Sequence, residues 1–190
     1  MSRVIAGAAK GRRLAVPEGK DTRPTSDRAR EGLFSTVQSL LGSLHGCRVA
    51  DLYAGSGAVG LEALSRGAAH ALLVEAGPRA ARVIRDNIAS LGLPGAELSA
   101  DRVERVLRNG PRERYDFVFM DPPYALPDKE IGAVLEALRD NDWLAGDALV
   151  AVERSRRGEP VAWPAGFEAE RERKYGEGIF YYGGFTRLPS

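Results

Sequence analysis

The run Asp51-Leu52-Tyr53-Ala54-Gly55-Ser56-Gly57-Ala58-Val59-Gly60 constrains this chain more than any other stretch. Apolar Val49-Ala50 precedes it, and Leu61-Glu62-Ala63-Leu64 follows with helical spacing, so the context reads strand, glycine loop, helix. Glycines let the backbone turn sharply and come close to a ligand. A helix that starts there adds unpaired N–H groups and a positive dipole end. Asp51 places a carboxylate at the strand end, beside the loop. Backbone donors and one acid suit a ligand that carries a carboxylate together with an ammonium or hydroxyls. The G-x-G-x-x-G spacing alone also fits NAD or FAD, or a strand-to-helix turn that needs only small residues. Later stretches have to decide.

The rest of the chain repeats the same alternation. Apolar patterning predicts strands over 48–53, 71–75, 97–99, 115–120 and 148–153, and helices over 58–66, 78–91, 102–109 and 128–139. Short apolar strands alternating with helices give right-handed βαβ units and a parallel sheet buried on both faces. Residues 167–175 and 179–185, around Gly176-Glu177-Gly178, read as a closing antiparallel hairpin. The expected fold is therefore α/β: a Rossmann-like, doubly wound, mostly parallel sheet closed by an antiparallel hairpin. That ending is the pattern of methyltransferases rather than of dinucleotide dehydrogenases. Ahead of it, residues 1–24 read as a small β-hairpin or arm. A helix then starts at Thr25-Ser26-Asp27 and carries Leu33, Phe34, Val37, Leu40 and Leu41 on one face, with Arg30 at its border. We expect residues 1–43 to form a substrate-side extension and residues 44–190 the main domain.

A chain of 190 residues, 44% apolar, can build one domain with a real core. Its net charge of +1 demands no nucleic acid, but residues 1–36 carry eight basic and four acidic side chains. The single cysteine, Cys47, excludes an internal disulfide and a multi-cysteine zinc site, and no metal centre is expected. Neither a membrane span nor an apolar signal-peptide core is legible, so the expected location is the cytoplasm.

Two further constellations bear on the chemistry. Glu75 ends the second strand 20 residues after Gly55, where an acid can hold the ribose hydroxyls of a nucleoside such as NAD or S-adenosylmethionine. Asp101 follows the third strand and could receive an adenine amino group, or simply cap the next helix. Asp121-Pro122-Pro123-Tyr124 follows the fourth strand and is the most specific signal in the chain. Two prolines remove backbone donors and stiffen the loop while leaving carbonyl acceptors. Asp121 adds another acceptor, and Tyr124 offers a ring on which a base can stack. An exocyclic –NH2 of a nucleobase needs such acceptors and such a wall. With strand one beside strand four, about 5 Å away, a donor over Gly55–Gly57 would nearly touch an amine over Asp121.

The front end completes a resemblance. Arg3-Val4-Ile5-Ala6-Gly7, Lys10-Gly11-Arg12-Arg13-Leu14 and the run from Thr22 through Phe34, joined to Asp121–Tyr124, are similar to the RsmD-type guanine-N2 methyltransferases of bacterial 16S rRNA. These are class I S-adenosylmethionine-dependent enzymes. Gly32 stands where the family usually has Ala or Thr. The resemblance implies S-adenosylmethionine held by Asp51, Tyr53, Ala54, Gly55, Ser56, Gly57, Glu75 and Asp101. It implies Asp121, Pro122 and Tyr124 at the chemistry, and Arg12, Arg23, Thr25, Asp27, Arg30 and Pro123 toward the substrate. The implied substrate is guanine 966 in 16S rRNA or the 30S subunit, acted on by a monomer. A DNA adenine-N6 methyltransferase is the nearest alternative, because adenine also offers an exocyclic amine. A nicotinamide-dependent oxidoreductase and a non-catalytic RNA-binding module are alternatives of other classes.

Overall fold

A computed structural model describes residues 2–18 and 26–187. Seven strands form one sheet in the order β5-β4-β3-β6-β7-β9-β8: β3 (Arg48–Leu52), β4 (His70–Val74), β5 (Ala96–Ser99), β6 (Tyr115–Met120), β7 (Leu144–Ser155), β8 (Phe167–Tyr175) and β9 (Gly178–Phe185). The first five run parallel; β9 and β8 close the edge antiparallel. The doubly wound sheet with a terminal hairpin is thus as the sequence patterning led us to expect.

Strand residues alternate between faces, and both faces are apolar. Val49, Leu73, Phe117, Phe119, Leu149 and Ala151 pack on one side, beneath α1 (Asp27–Leu41), α2 (Ala58–Ser65) and α3 (Pro78–Leu91). Ala50, Leu52, Val118, Met120, Val150 and Val152 pack on the other, against α4 (Val103–Val106) and α5 (Asp128–Asp140). Ser26 caps α1, its hydroxyl accepting from the Ala29 N–H at 3.1 Å. Helix α4 stops short of the expected residue 109. The Leu107 and Asn109 carbonyls, which continued helix would have used, accept instead from Asn141 Nδ2 (2.7 Å) and Trp143 Nε1 (3.0 Å). Among the described residues no helix is long and apolar enough to cross a membrane.

The arm is a two-stranded antiparallel piece, β1 (Ser2–Arg3) with β2 (Arg13–Leu14), and its Val4, Ala9 and Leu14 are buried in the same cluster as α2 and the sheet. It docks on the end of α2. The Ala8 N–H donates to the Ser65 carbonyl (2.8 Å) and the Ala9 N–H to the Ser65 hydroxyl (2.9 Å), filling acceptors that a helix end leaves open. Gly7 permits this approach, since a Cβ there would lie 1.9 Å from the Ser65 carbonyl oxygen.

Candidate active site

The site assembles at the carboxyl ends of β3, β4, β6 and β7. On β3, Asp51 is 1% exposed and its Oδ2 accepts from the Gly60 N–H at 2.9 Å, so it ties the strand to the first turn of α2. Burial pushes its carboxyl up to about 8; the Gly60 N–H works against this and the charge of Glu75 adds to it. Tyr53 then adopts φ +61°, a left-handed conformation rare for a non-glycine residue and typical of strained functional turns. Gly55 (φ +61°) and Gly57 (φ +82°) continue the left-handed turn at little cost. Gly57 is the N-cap of α2, and no side chain caps that end. The loop and helix thus present a backbone cradle of the kind that holds a carboxylate.

Glu75 faces this cradle from β4. Its Oε1 accepts from the Gly55 N–H and its Oε2 from the Gly77 N–H, each at 2.8 Å. Each oxygen keeps a lone pair for a ribose hydroxyl. Asp101, past β5, accepts from the Arg102 N–H at 2.8 Å and pairs with Arg105 at 3.7 Å. The residues present therefore fit a nucleoside that carries an amino-acid tail.

One unanticipated residue links this cradle to the arm. Asn87 of α3, 2% exposed, accepts from the Ala15 N–H, and its amide donates to the carbonyls of Ala15 and Ser56, all at 2.9 Å. Nothing in local patterning marks a polar residue on a helix as such a bridge.

On the other side, β6 pairs with β3 so that Met120 lies opposite Leu52, which brings Asp121 beside Tyr53. Pro122 is buried, while Pro123 and Tyr124 are exposed. Tyr124, at 41%, is the exposed large hydrophobic side chain among the described residues. Neighbouring β7 supplies two residues that the sequence reading missed. Arg154, 7% exposed, donates to the carbonyls of Pro123 (3.3 Å) and Leu126 (2.8 Å) and pairs with Asp128 (3.4 Å), clamping the loop from below. Glu153 follows the Val152–Met120 pair and so lies level with Asp121 on the neighbouring strand. Burial raises both carboxyls, and for Asp121 the charge of Glu153 raises it further. Paired charges ending an otherwise apolar strand were the available signal.

Several expectations change. The Pro123 carbonyl is not open: Arg154 and the Leu126 N–H (2.9 Å) both use it. Among the described residues none donates to the Pro122 carbonyl. Arg30, expected at the border of α1 and toward the substrate, instead faces inward. It is 0% exposed, with its guanidinium turned onto the Ser2 hydroxyl, the Arg3 carbonyl, Asp27 and Glu62. Burial against these acceptors makes it an anchor of the arm. Arg12 is exposed but donates to the Ser90 carbonyl (2.7 Å), at the end of α3 that points away from the strands' carboxyl ends. Asp27 pairs with Arg3 (3.1 Å) and Arg30 (3.2 Å). Arg23 and Thr25 lie outside the described residues.

Comparison with known proteins agrees with this architecture. The family model described as Conserved hypothetical protein 95 matches residues 2–183. The chain is 35% identical over 176 residues to the ribosomal RNA small subunit methyltransferase D of Escherichia coli K12, spanning 92% of this chain and 85% of that protein. It is 30% identical to the Haemophilus influenzae protein of the same name, over 92% and 89% of the two chains. Among solved structures it superposes on a putative methyltransferase of Escherichia coli, yhhF, with a TM-score of 0.85 at 32% identity, covering 98% of each chain. A hypothetical protein of Thermus thermophilus gives 0.77 at 33% identity, over 96% and 98%. A glycine cradle faced by an acid, an Asp-Pro-Pro-Tyr loop on the neighbouring strand and these likenesses lead to one conclusion: the chain belongs to the RsmD family of methyltransferases.

Proposed function

We propose that this protein transfers a methyl group from S-adenosylmethionine to the exocyclic N2 of a guanine in 16S rRNA, by resemblance guanine 966, during small-subunit maturation. The observation that carries this reading is the exposed Tyr124 ring beside the part-buried Asp121 and the Pro122 carbonyl, one strand away from the glycine cradle. Bound there, S-adenosylmethionine supplies an electrophilic methyl on sulfur. Tyr124 stacks the base. Asp121 and the Pro122 carbonyl accept from the amine, hold it in line, and draw its lone pair out of conjugation with the ring. The nitrogen lone pair would form the new bond to carbon as the sulfur–methyl bond breaks, its electron pair leaving with sulfur as a neutral thioether. The nitrogen would shed one proton, with Asp121 beside it as acceptor. Fixed geometry does most of the work. His70 offers hydride transfer no acid–base group at this site: it begins β4, at the strand end away from the site, 3.0 Å from the Tyr115 hydroxyl.

The test is methyl transfer from labelled S-adenosylmethionine to undermethylated small subunits, naked 16S rRNA and DNA, with the product nucleoside identified. N2-methylguanosine from either ribosomal substrate is expected. N6-methyladenine in DNA would replace this reading with the adenine one.

Two predictions concern the cradle. Glu75→Ala is expected to weaken S-adenosylmethionine binding by about 1–3 kcal/mol, because it removes the ribose acceptor and also unties the Gly55 and Gly77 amides. Unchanged calorimetric affinity would remove Glu75 from the site. Asp51 gives a proton signature. With its carboxyl at about 8, it is mostly protonated near neutral pH. A ligand ammonium alongside favours the charged form, so binding at about pH 7 is expected to release up to about one proton. Release should fade at about pH 9, where Asp51 is already ionised. Binding enthalpies that match in buffers of different ionisation enthalpy at about pH 7 would contradict this.

A further inference from the structure

Asp121 does not meet the site alone. Strand β7 runs parallel to β6 with Val152 opposite Met120, so Glu153 is the next residue level with Asp121. Alternation puts both on the sheet face that carries Phe119 and Ala151. That register makes the two carboxyls neighbours, close enough for Glu153 to raise Asp121, and two buried carboxyls so placed favour a state with one proton between them. Glu153 Oε2 is buried and has no hydrogen-bond partner among the described residues. A Cβ on Gly178 of β9 would lie 2.8 Å from Glu153 Oε1 and 3.2 Å from the Tyr124 hydroxyl, so both groups crowd the same glycine. The register places Phe180 opposite Glu153, so β9 brings no charge to the pair at that position. The charged and titratable groups that face it are Asp51 from β3, Arg154 from β7 and Tyr124 from the loop.

We infer that Glu153 is a positioning residue for the methyl-accepting amine, sharing one proton with Asp121 so that the other Asp121 oxygen is held with its lone pairs toward that amine. This rests on the proposed role of the Asp121 loop. An isolated carboxylate would swing between Arg154, solvent and the amine. The shared proton fixes one oxygen and leaves the second as a pure acceptor. Loss of that proton puts two carboxylates in contact, and their repulsion turns Asp121 away. Both carboxyls titrate above the ordinary range because of burial, so the pair keeps its proton near neutral pH and loses it on the alkaline side.

The experiment compares the full-length protein with Glu153→Gln, in which an amide N–H replaces the shared proton at every pH. Single-turnover methylation of undermethylated small subunits is measured from about pH 6 to about pH 9.5, with melting curves over the same range. Wild type is expected to lose activity on the alkaline side. E153Q should lack that limb and run about tenfold slower near neutral pH, with S-adenosylmethionine affinity unchanged. Stability gives an independent readout. The folded state binds the extra proton, so wild-type stability falls as pH rises from the ordinary carboxylate range to the raised one. The Tm of E153Q minus that of wild type should therefore grow with pH; the Asp51 contribution, common to both proteins, cancels. Should E153Q fold poorly, Asp121→Asn removes the pair from the other side and should flatten the wild-type slope in Tm to the part that burial of Glu153 alone supplies. Coincident pH–rate and pH–Tm profiles for E153Q and wild type would overturn the inference. If Asp121→Ala is inactive alongside them, the role of the loop survives. If Asp121→Ala stays active, the reading of the loop fails first and the inference falls with it.

Discussion

Asp121→Ala is expected to reduce methyl transfer by about a thousandfold or more while leaving S-adenosylmethionine affinity and the fold close to normal. The donor cradle is built on β3 and β4 by Asp51, Gly55, Gly57 and Glu75, none of which bonds to Asp121. In the proposed reaction the substitution removes the acceptor that orients the amine, an interaction that gains strength as positive charge grows on nitrogen. Interactions realised mainly in the transition state appear in turnover rather than in ground-state binding. Each tenfold loss corresponds to about 1.4 kcal/mol, so a thousandfold loss asks about 4 kcal/mol of one residue, within the range for a preorganised polar group in a partly dry site. Removing Asp121 also separates a raised carboxyl from Glu153, so the protein should melt no lower than wild type at alkaline pH. Near-normal turnover on undermethylated small subunits, with cofactor binding intact, would show that the amine is held elsewhere.

Glu62→Ala should have the largest effect on stability. Glu62 is 0% exposed in the middle of α2 and receives the Ile5 N–H (2.8 Å), the Ala6 N–H (3.0 Å) and Arg66 Nε (2.9 Å), with Arg30 Nε at 3.7 Å. Removing it strands two backbone donors and leaves the buried Arg30 guanidinium with less opposing charge. Breaking a buried pair in this way costs about 3–5 kcal/mol, or about 6–20 °C in Tm for a chain of this size. Calorimetric melting tests it, and a fall of under about 2 °C would mean that Arg30 and the arm are held by other contacts. Glu62→Gln should recover only part of the loss, since its amide turns a donor toward the donors already there.

The two predictions draw on sites of very different legibility. The Asp51–Gly60 loop, Glu75 and Asp121–Tyr124 could be read because each sits where a strand ends, and strand ends follow from local apolar runs and glycines. The same local rules yielded the parallel core and the closing hairpin. Arg30 could not be read this way. On the sequence it borders a helix stripe, and charged residues at a border ordinarily face water. Its burial depends on Glu62, in another helix, and on the arm that Glu62 gathers, so the partner is invisible until the chain is folded. Glu153 and Arg154 pose the same problem in a sheet: only the register of β7 against β6 puts one on Asp121 and the other under the loop. A glycine inside a helix, as Gly32 is in α1, costs about 1 kcal/mol against Ala. In the fold a Cβ there would lie 2.0 Å from the Tyr175 hydroxyl, so the missing methyl makes room for the hairpin's aromatic end.

The Asn87 bridge changes what it means to cut or alter the arm. One carboxamide holds the Ala15 backbone by both its groups and the Ser56 carbonyl of the glycine loop as well. A ligand that moved the arm and one that settled the loop would therefore act on the same side chain. Any coupling free energy carried by such a shared contact is equal read from either side. An arm substitution with no atom near the glycine loop would then register as a change in affinity at the loop, through a single carboxamide.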